Sequence, residues 1–146
     1  MPYTDLDTCA EAIKSLLTTN QTSLGLKSVV YGDQKVRATR PSALIAPIDE
    51  QRVIHGTNTF YVEFNILIYI VTDKVSLGMG DRQKSVIQLG QAVRTLLHQD
   101  KQWSGNLIFS FVRRTEYGVL GRAKGTDMVV GCRLNWMGMQ ETLFNV

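Results

Sequence analysis

The chain has 146 residues, of which 44% are hydrophobic and 20% charged, with a net charge of +3. That composition fits a single globular domain with a real core and excludes a disordered chain. No apolar run approaches the ~18 residues a membrane span needs. The opening MPYTDLDTC carries acids where a secretory signal would place Lys or Arg ahead of an apolar block, so a cytosol-like compartment is expected.

Leu6, Cys9, Ala10, Ile13, Leu16 and Leu17 recur at helical spacing and predict a first helix over Asp5–Leu17, with Thr4 as N-cap and acids in the first turn. TTNQTSLG (18–25) is a breaker cluster. Leu26–Tyr31 then reads as a short strand closed by Gly32-Asp33. Pro41 opens a second strand, Ser42–Pro47. Because Pro47 has no N–H for a ladder, that strand should end there or lie on an edge. Gln51–His55 starts another strand, turning at Gly56-Thr57-Asn58.

The stretch Thr59–Val71 (TFYVEFNILIYIV) carries the most information. Phe60, Val62, Phe64, Ile66, Ile68 and Ile70 share one face at a period of two, the signature of a long half-buried strand. The opposite face starts polar at Thr59, Tyr61, Glu63 and Asn65 and turns apolar at Leu67, Tyr69 and Val71. Only its far end should therefore be covered, by a helix, a loop or a second subunit. After the loop Thr72–Gly80, Asp81 is expected to cap a helix over Arg82–Gln99 with Val86, Ile87, Gly90, Val93, Leu96 and Leu97 on its inner face. Gly90 costs about 1 kcal/mol relative to Ala in a helix interior, which close approach to the sheet would offset. LIFSFVR (107–113) alternates as a strand. EYGVLGRAKGT (116–126) reads as a long flexible hairpin tip, and Met128, Val130, Cys132, Leu134 and Trp136 alternate along a last strand. The order α-β-β-β-α-β-β predicts one α+β domain over residues 1–146, an antiparallel (mixed) sheet with two helices on one face.

The residues offer no catalytic constellation. His55 and His98 lack spaced carboxylate or thiol partners. At the end of its helix, His98 would place an imidazolium against the negative end of the dipole. Gly78-Met79-Gly80-Asp81 lacks both the Lys-Ser/Thr of a P-loop and the spacing of a dinucleotide site. Cys9 and Cys132 fall on apolar faces without a C-x-x-C pair, so buried free thiols are expected rather than a metal site. No catalytic, cofactor or metal residue is assigned. The net charge resides wholly in residues 101–146, where Lys101, Arg113, Arg114, Arg122, Lys124 and Arg133 face three acids.

Three features point to assembly. The outer face of the long strand is only partly polar. Two glycine-bearing loops carry Val75, Leu77, Met79, Val119 and Leu120, and the C-terminal MGMQETLFNV continues after the fold should be complete. Taken in order, the layout resembles the tail terminator (tail completion) proteins of long-tailed bacteriophages. The residues carrying the likeness are the N-terminal helix, Ala43-Leu44-Ile45-Ala46, FYVEFNILIYIV, DRQKSVIQLGQAVRTLLHQD followed by Trp103 and Gly105, and the closing LIFSFVRRTEYG and MVVGCRLNWMG. The resemblance rests on layout and apolar pattern.

It implies a non-enzymatic structural protein of the virion, assembled in the host cytoplasm. Such a protein forms a homohexameric ring that caps the tail tube and joins it to the neck or head–tail connector protein. DNA would pass through the bore without specific binding, and no membrane or cofactor is involved. Leu77, Met79, Val119 and Leu120 are then expected at contacts between subunits or with the tube. Arg113, Arg114, Arg122 and Lys124 would face an acidic neighbour or passing DNA, with Arg122 and Lys124 on a rim, because phosphate contacts in the bore would hold DNA back. The competing readings are a neck or head-completion connector and, from a different class, a small α+β enzyme or ligand-binding module.

Overall fold

The computed structural model describes residues 5–32, 41–54, 56, 59–71, 79–100, 103, 107–122 and 128–143. Helices α1 (Leu6–Thr19) and α2 (Gln21–Leu24) are followed by strands β1 (Ser28–Tyr31), β2 (Ser42–Ile54) and β3 (Thr59–Val71). Helix α3 (Met79–Leu97) and strands β4 (Phe109–Arg122) and β5 (Met128–Leu143) complete the chain. The fold is α+β: the strands form one mixed sheet in the order β1-β2-β3-β5-β4, antiparallel except for the parallel β1–β2 pair.

β3 alternates as its sequence requires. Phe64, Ile66, Ile68 and Ile70 are essentially fully buried, while the residues between them from Thr59 to Tyr69 are half-buried. The buried side chains join Cys9, Ala10, Ile13 and Leu17 of α1, Val86, Val93 and Leu97 of α3, and Cys132, Leu134 and Trp136 of β5 in one core. Both long helices thus pack on the same face of the sheet. Ile87, expected on the inner face of α3, is exposed; Val86, Gly90, Val93 and Leu97 define that face instead. A Cβ at Gly90 would stand 3.0 Å from Cys132 Sγ and 3.1 Å from the Tyr117 ring, so the missing side chain is what lets α3 approach the sheet.

Four boundaries differ from the sequence expectation. Asp5, not Thr4, caps α1: its carboxylate accepts the Thr8 N–H at 2.8 Å. The breaker cluster contains the single turn α2, ended by Gly25 in the left-handed region. α3 begins at Met79, ahead of the expected cap Asp81. The strands expected separately at Ser42–Pro47 and Gln51–His55 are one strand, β2, continuous through a bulge between Pro47 and Asp49. Pro47 is tolerated because β1 has already ended: Tyr31 pairs with Ile45, and Gly32 donates the last bond to the Ile45 carbonyl. Pro47 therefore sits where β2 is an edge, and no ladder bond is lost.

The two closing strands are also longer than expected. Glu116–Arg122 is not a flexible tip; it continues β4 against Met128–Arg133. Of the C-terminal segment, Met137–Leu143 is not surplus to the fold, because it completes β5 against Thr59–Asn65; residues 144–146 lie outside the described residues.

The α1 cap gives a pH-dependent prediction. The backbone N–H of Thr8, then its hydroxyl, hold the Asp5 carboxyl below the ordinary aspartate value. A lowered folded-state pKa means stability present above the unfolded value and lost as pH falls through the folded one. Asp5→Ala should therefore melt below wild type at neutral pH, and the gap should close in acid; thermal melts at pH 7 and pH 2.5 check this.

Candidate assembly surface on the open face of the sheet

No described element covers the second face of the sheet along its middle. Its composition follows from alternation: residues between the core positions of β3 and β5 point outward, together with their cross-strand partners. At the end where β2 starts, Leu44 and Val71 are buried with Val30 and Tyr69 packed against them, a second and smaller apolar cluster. At the opposite end, Phe109 and Phe111 stack with centroids 6.1 Å apart and pair with Met139 and Met137.

Between these apolar ends lies a charged network. Arg113 Nη2 donates to Glu63 Oε1 and to Asn65 Oδ1, both at 2.9 Å, and Asn65 Nδ2 donates to Asp49 Oδ1 at 2.7 Å. Arg133 Nη2 donates to both Glu116 oxygens at 2.7 Å, while Arg114 Nε stands 3.3 Å from the same carboxylate. The Arg133 hydrogen bond, aided by the charges of Arg114 and Arg133, holds the Glu116 carboxyl below its ordinary value.

Two bulges shape this face. The extra residue Ile48 in β2 and the extra residue Arg113 in β4 flank a shallow groove with Asn65, Leu67 and Asn135 at its floor. Its volume of ≈170 Å³ is below the ~300–1,000 Å³ of a small-molecule site. Among the described residues no three His, Cys, Asp or Glu side chains converge as a metal would require, and no helix is long and apolar enough to cross a membrane.

The chain matches no protein-family model and no curated protein.

Of the residues singled out in sequence, Arg113 and Arg114 lie on this face, each beside a carboxylate. Val119, Leu120 and Arg122 belong to the far end of β4, and Met79 opens α3; the side chains of all four lie outside the described residues, as do Leu77 and Lys124 entirely. The fold nevertheless brings the anchors of both glycine-bearing loops to one end of the sheet. Val71, where β3 ends, pairs with Gly131, which pairs with Gly118.

His98 departs from the sequence reading. Its Nε2 accepts the Val112 N–H at 2.8 Å, a bond only a neutral imidazole can make, so it acts as an acceptor for the edge of β4 rather than as a cation at the dipole. His55 lies outside the described residues.

The aromatic end of the open face was not anticipated. In Phe109-Ser110-Phe111-Val112 the larger side chains would be assigned to the core, yet Ser110 and Val112 are the buried pair. The reason lies elsewhere in the chain. Trp136 is fully buried under that corner, Trp103 meets it edge-on at 6.0 Å, and Trp103 Nε1 donates to Ser110 Oγ at 2.9 Å. Two indoles leave room only for small neighbours.

Cys9 and Cys132 are buried free thiols, as expected, and burial pushes each up to about 12. A thiol so protonated is a poor nucleophile. Neither should react with iodoacetamide at pH 8 in the native protein, and both should react in denaturant; mass spectrometry reads the difference.

Proposed function

We propose that this protein is a structural component of the virion, a tail terminator that forms a ring on the tail tube of a long-tailed bacteriophage and joins it to the head connector. The observation that carries this reading is the one-sided sheet. Five strands are roofed by helices on one face, and the other face keeps the partly exposed Phe109–Phe111 pair at its upper end and a neutralised network at its centre. Such a surface suits contact with other protein chains better than turnover of a substrate, since its groove is shallow and its charged groups are spent on one another.

The network also suits a surface facing DNA in transit. Arg113 is matched by Glu63 and Arg133 by Glu116. Paired guanidiniums offer phosphates little net attraction, so DNA would slide past rather than be held.

The experiment is direct. Light scattering should give a native mass near six times the 16.4 kDa subunit, on its own or at high concentration. Electron microscopy after incubation with purified tail tubes should show caps at tube ends. Binding to the portal-side connector without capping tubes would move the assignment to a neck protein. A monomer that neither assembles nor caps would overturn the ring.

A further inference from the structure

The two edges of the sheet are each half covered, and the covered halves lie at opposite ends. β1 pairs with β2 only over Ser42–Ile45, so no described strand lies beside Ala46–Ile54 on that side. That free half is well exposed, with Ile48 at 53% and Ile54 at 75%. On the other edge, His98 takes the outward N–H of Val112, leaving Arg113–Arg122 below it without a strand partner on its outer side among the described residues. In the register of the sheet Glu50 is level with Phe64, Gly138 and Ser110, whereas the free half of β4 is centred near Gly118, level with Gly131. One free half is thus at the top of the sheet and the other at the bottom.

We propose that copies of this chain join head to tail through these edges, the free half of β4 in one copy pairing antiparallel with the free half of β2 in the next. The inference rests on the ring reading above and specifies its interface. The strand directions fit: β2 and β5 run one way, β3 and β4 the other, so a neighbour in the same orientation presents β2 antiparallel to β4. The charges fit as well. Ala46–Ile54 carries Asp49 and Glu50 against Arg52, and Arg113–Arg122 carries three arginines against Glu116, so the two segments differ in net sign although Glu50 is paired with Arg52 and Arg113 with Glu63 within the chain. Arg114, at 70% side-chain exposure, stands at the start of the basic half.

The diagonal offset sets the geometry of closure. From Gly138 to Gly131 the register moves by about seven residues, ~23 Å at ~3.3 Å each, while the four steps from β2 through β3, β5 and β4 to the next copy's β2 span ~19 Å at ~4.8 Å each. A step of that slope tilts the strands by roughly 50°, a little steeper than the ~35–45° of closed barrels. Because the contact joins two different edges, it is heterologous, and repeated rotation can close it into a ring.

The backbone positions that matter follow from alternation along each edge. Ile45 turns its carbonyl toward β1, which after the bulge puts Glu50, Arg52 and Ile54 on the outward side of β2. Val112 turns outward on β4, which after its bulge selects Thr115 and Tyr117.

Arg52→Pro and Thr115→Pro each delete one outward donor and leave the internal ladders intact. Each variant alone should run as a monomer with a wild-type circular dichroism spectrum. Mixed in equal amounts they retain one good β4 edge and one good β2 edge, and should stop at twice the subunit mass. If both variants assemble as wild type does, or if the mixture stays monomeric while wild type forms rings, edge pairing is wrong and the ring reading stands. If wild type itself neither assembles nor caps tubes, both fall. Should the proline variants not fold, hydrogen exchange on the unaltered protein decides. The amides of Arg52, Ile54, Thr115 and Tyr117 should slow at least tenfold on going from dilute monomer to assembly, and unchanged exchange overturns the proposal.

Discussion

Ile68→Lys is expected to abolish folding. Ile68 is fully buried on the helix-covered face of β3, paired with Ile45 and Leu134 across the neighbouring strands, and both partners are themselves fully buried. The core cluster around it is formed almost entirely of hydrocarbon, thiol and indole groups, so an ammonium there would find no carboxylate beside it on the strand pairs. The cost has two parts. The lost isoleucine burial and its cavity are worth about 2–5 kcal/mol on the scale of Ile→Ala changes. The charge must then be desolvated unpaired or the lysine kept neutral, at several kcal/mol more. Against a typical domain stability of about 5–15 kcal/mol, the sum removes most or all of it. Soluble yield and far-UV circular dichroism read the result; a cooperative melt near wild type would show that this face is not the core.

Gly138→Ala is the second large effect, and it arises from one methyl group. Gly138 lies on the same face of β5 as Trp136, pairs with Phe64 and with the buried Ser110, and a Cβ built on it would overlap the Trp136 ring while standing 3.1 Å from Leu107 Cδ1. Trp136 cannot swing away, since it is fully buried and braced by Trp103. Overpacking of this kind costs about 1–3 kcal/mol. For a domain of this size each kcal/mol lowers Tm by roughly 2–4 °C. A loss of several degrees is therefore expected, although alanine is otherwise the better strand residue. Pairing Gly138→Ala with Trp136→Phe should recover part of the loss, because the smaller ring vacates the contested space. Failure of that rescue would place the clash elsewhere.

Both effects trace to one asymmetry. The sheet has a face that tolerates nothing new and a face that is unfinished. On the closed side, Gly90 lets α3 approach the strands and Gly138 leaves room for the Trp136 ring and Leu107. On the open side, Arg113, Arg114 and Glu116 are at the surface, and their removal should cost little in folding, since exposed ion pairs are worth about 0–1 kcal/mol. Folding stability thus rests on the closed face, and the proposed assembly would use the open face and the edges of the same five strands.

Much of this was legible in residue order. The period-two pattern from Phe60 to Ile70 specified a strand, its length and its buried face before any partner was known, because alternation is imposed by the geometry of the extended chain itself. The helical spacing of Cys9, Ala10, Ile13 and Leu17 did the same for α1, and the two thiols were correctly placed on apolar faces. Gly90 announced a close approach that the structure confirms.

Other features belonged to the tertiary structure alone. The parallel β1–β2 pair, the placement of β5 between β3 and β4, and the bulges, those at Ile48 and Arg113 among them, all depend on strands distant in sequence choosing one another. Pro47 could sit mid-strand only because β1 ends at Tyr31. Phe109 and Phe111 faced outward only because Trp136, 25 or more residues later, had taken the space beneath. Local pattern sets how each segment is built, since it acts through bonds and nearest neighbours. Order, register and the choice of exposed face are settled by competition for the same volume, and that competition exists only once the chain is folded.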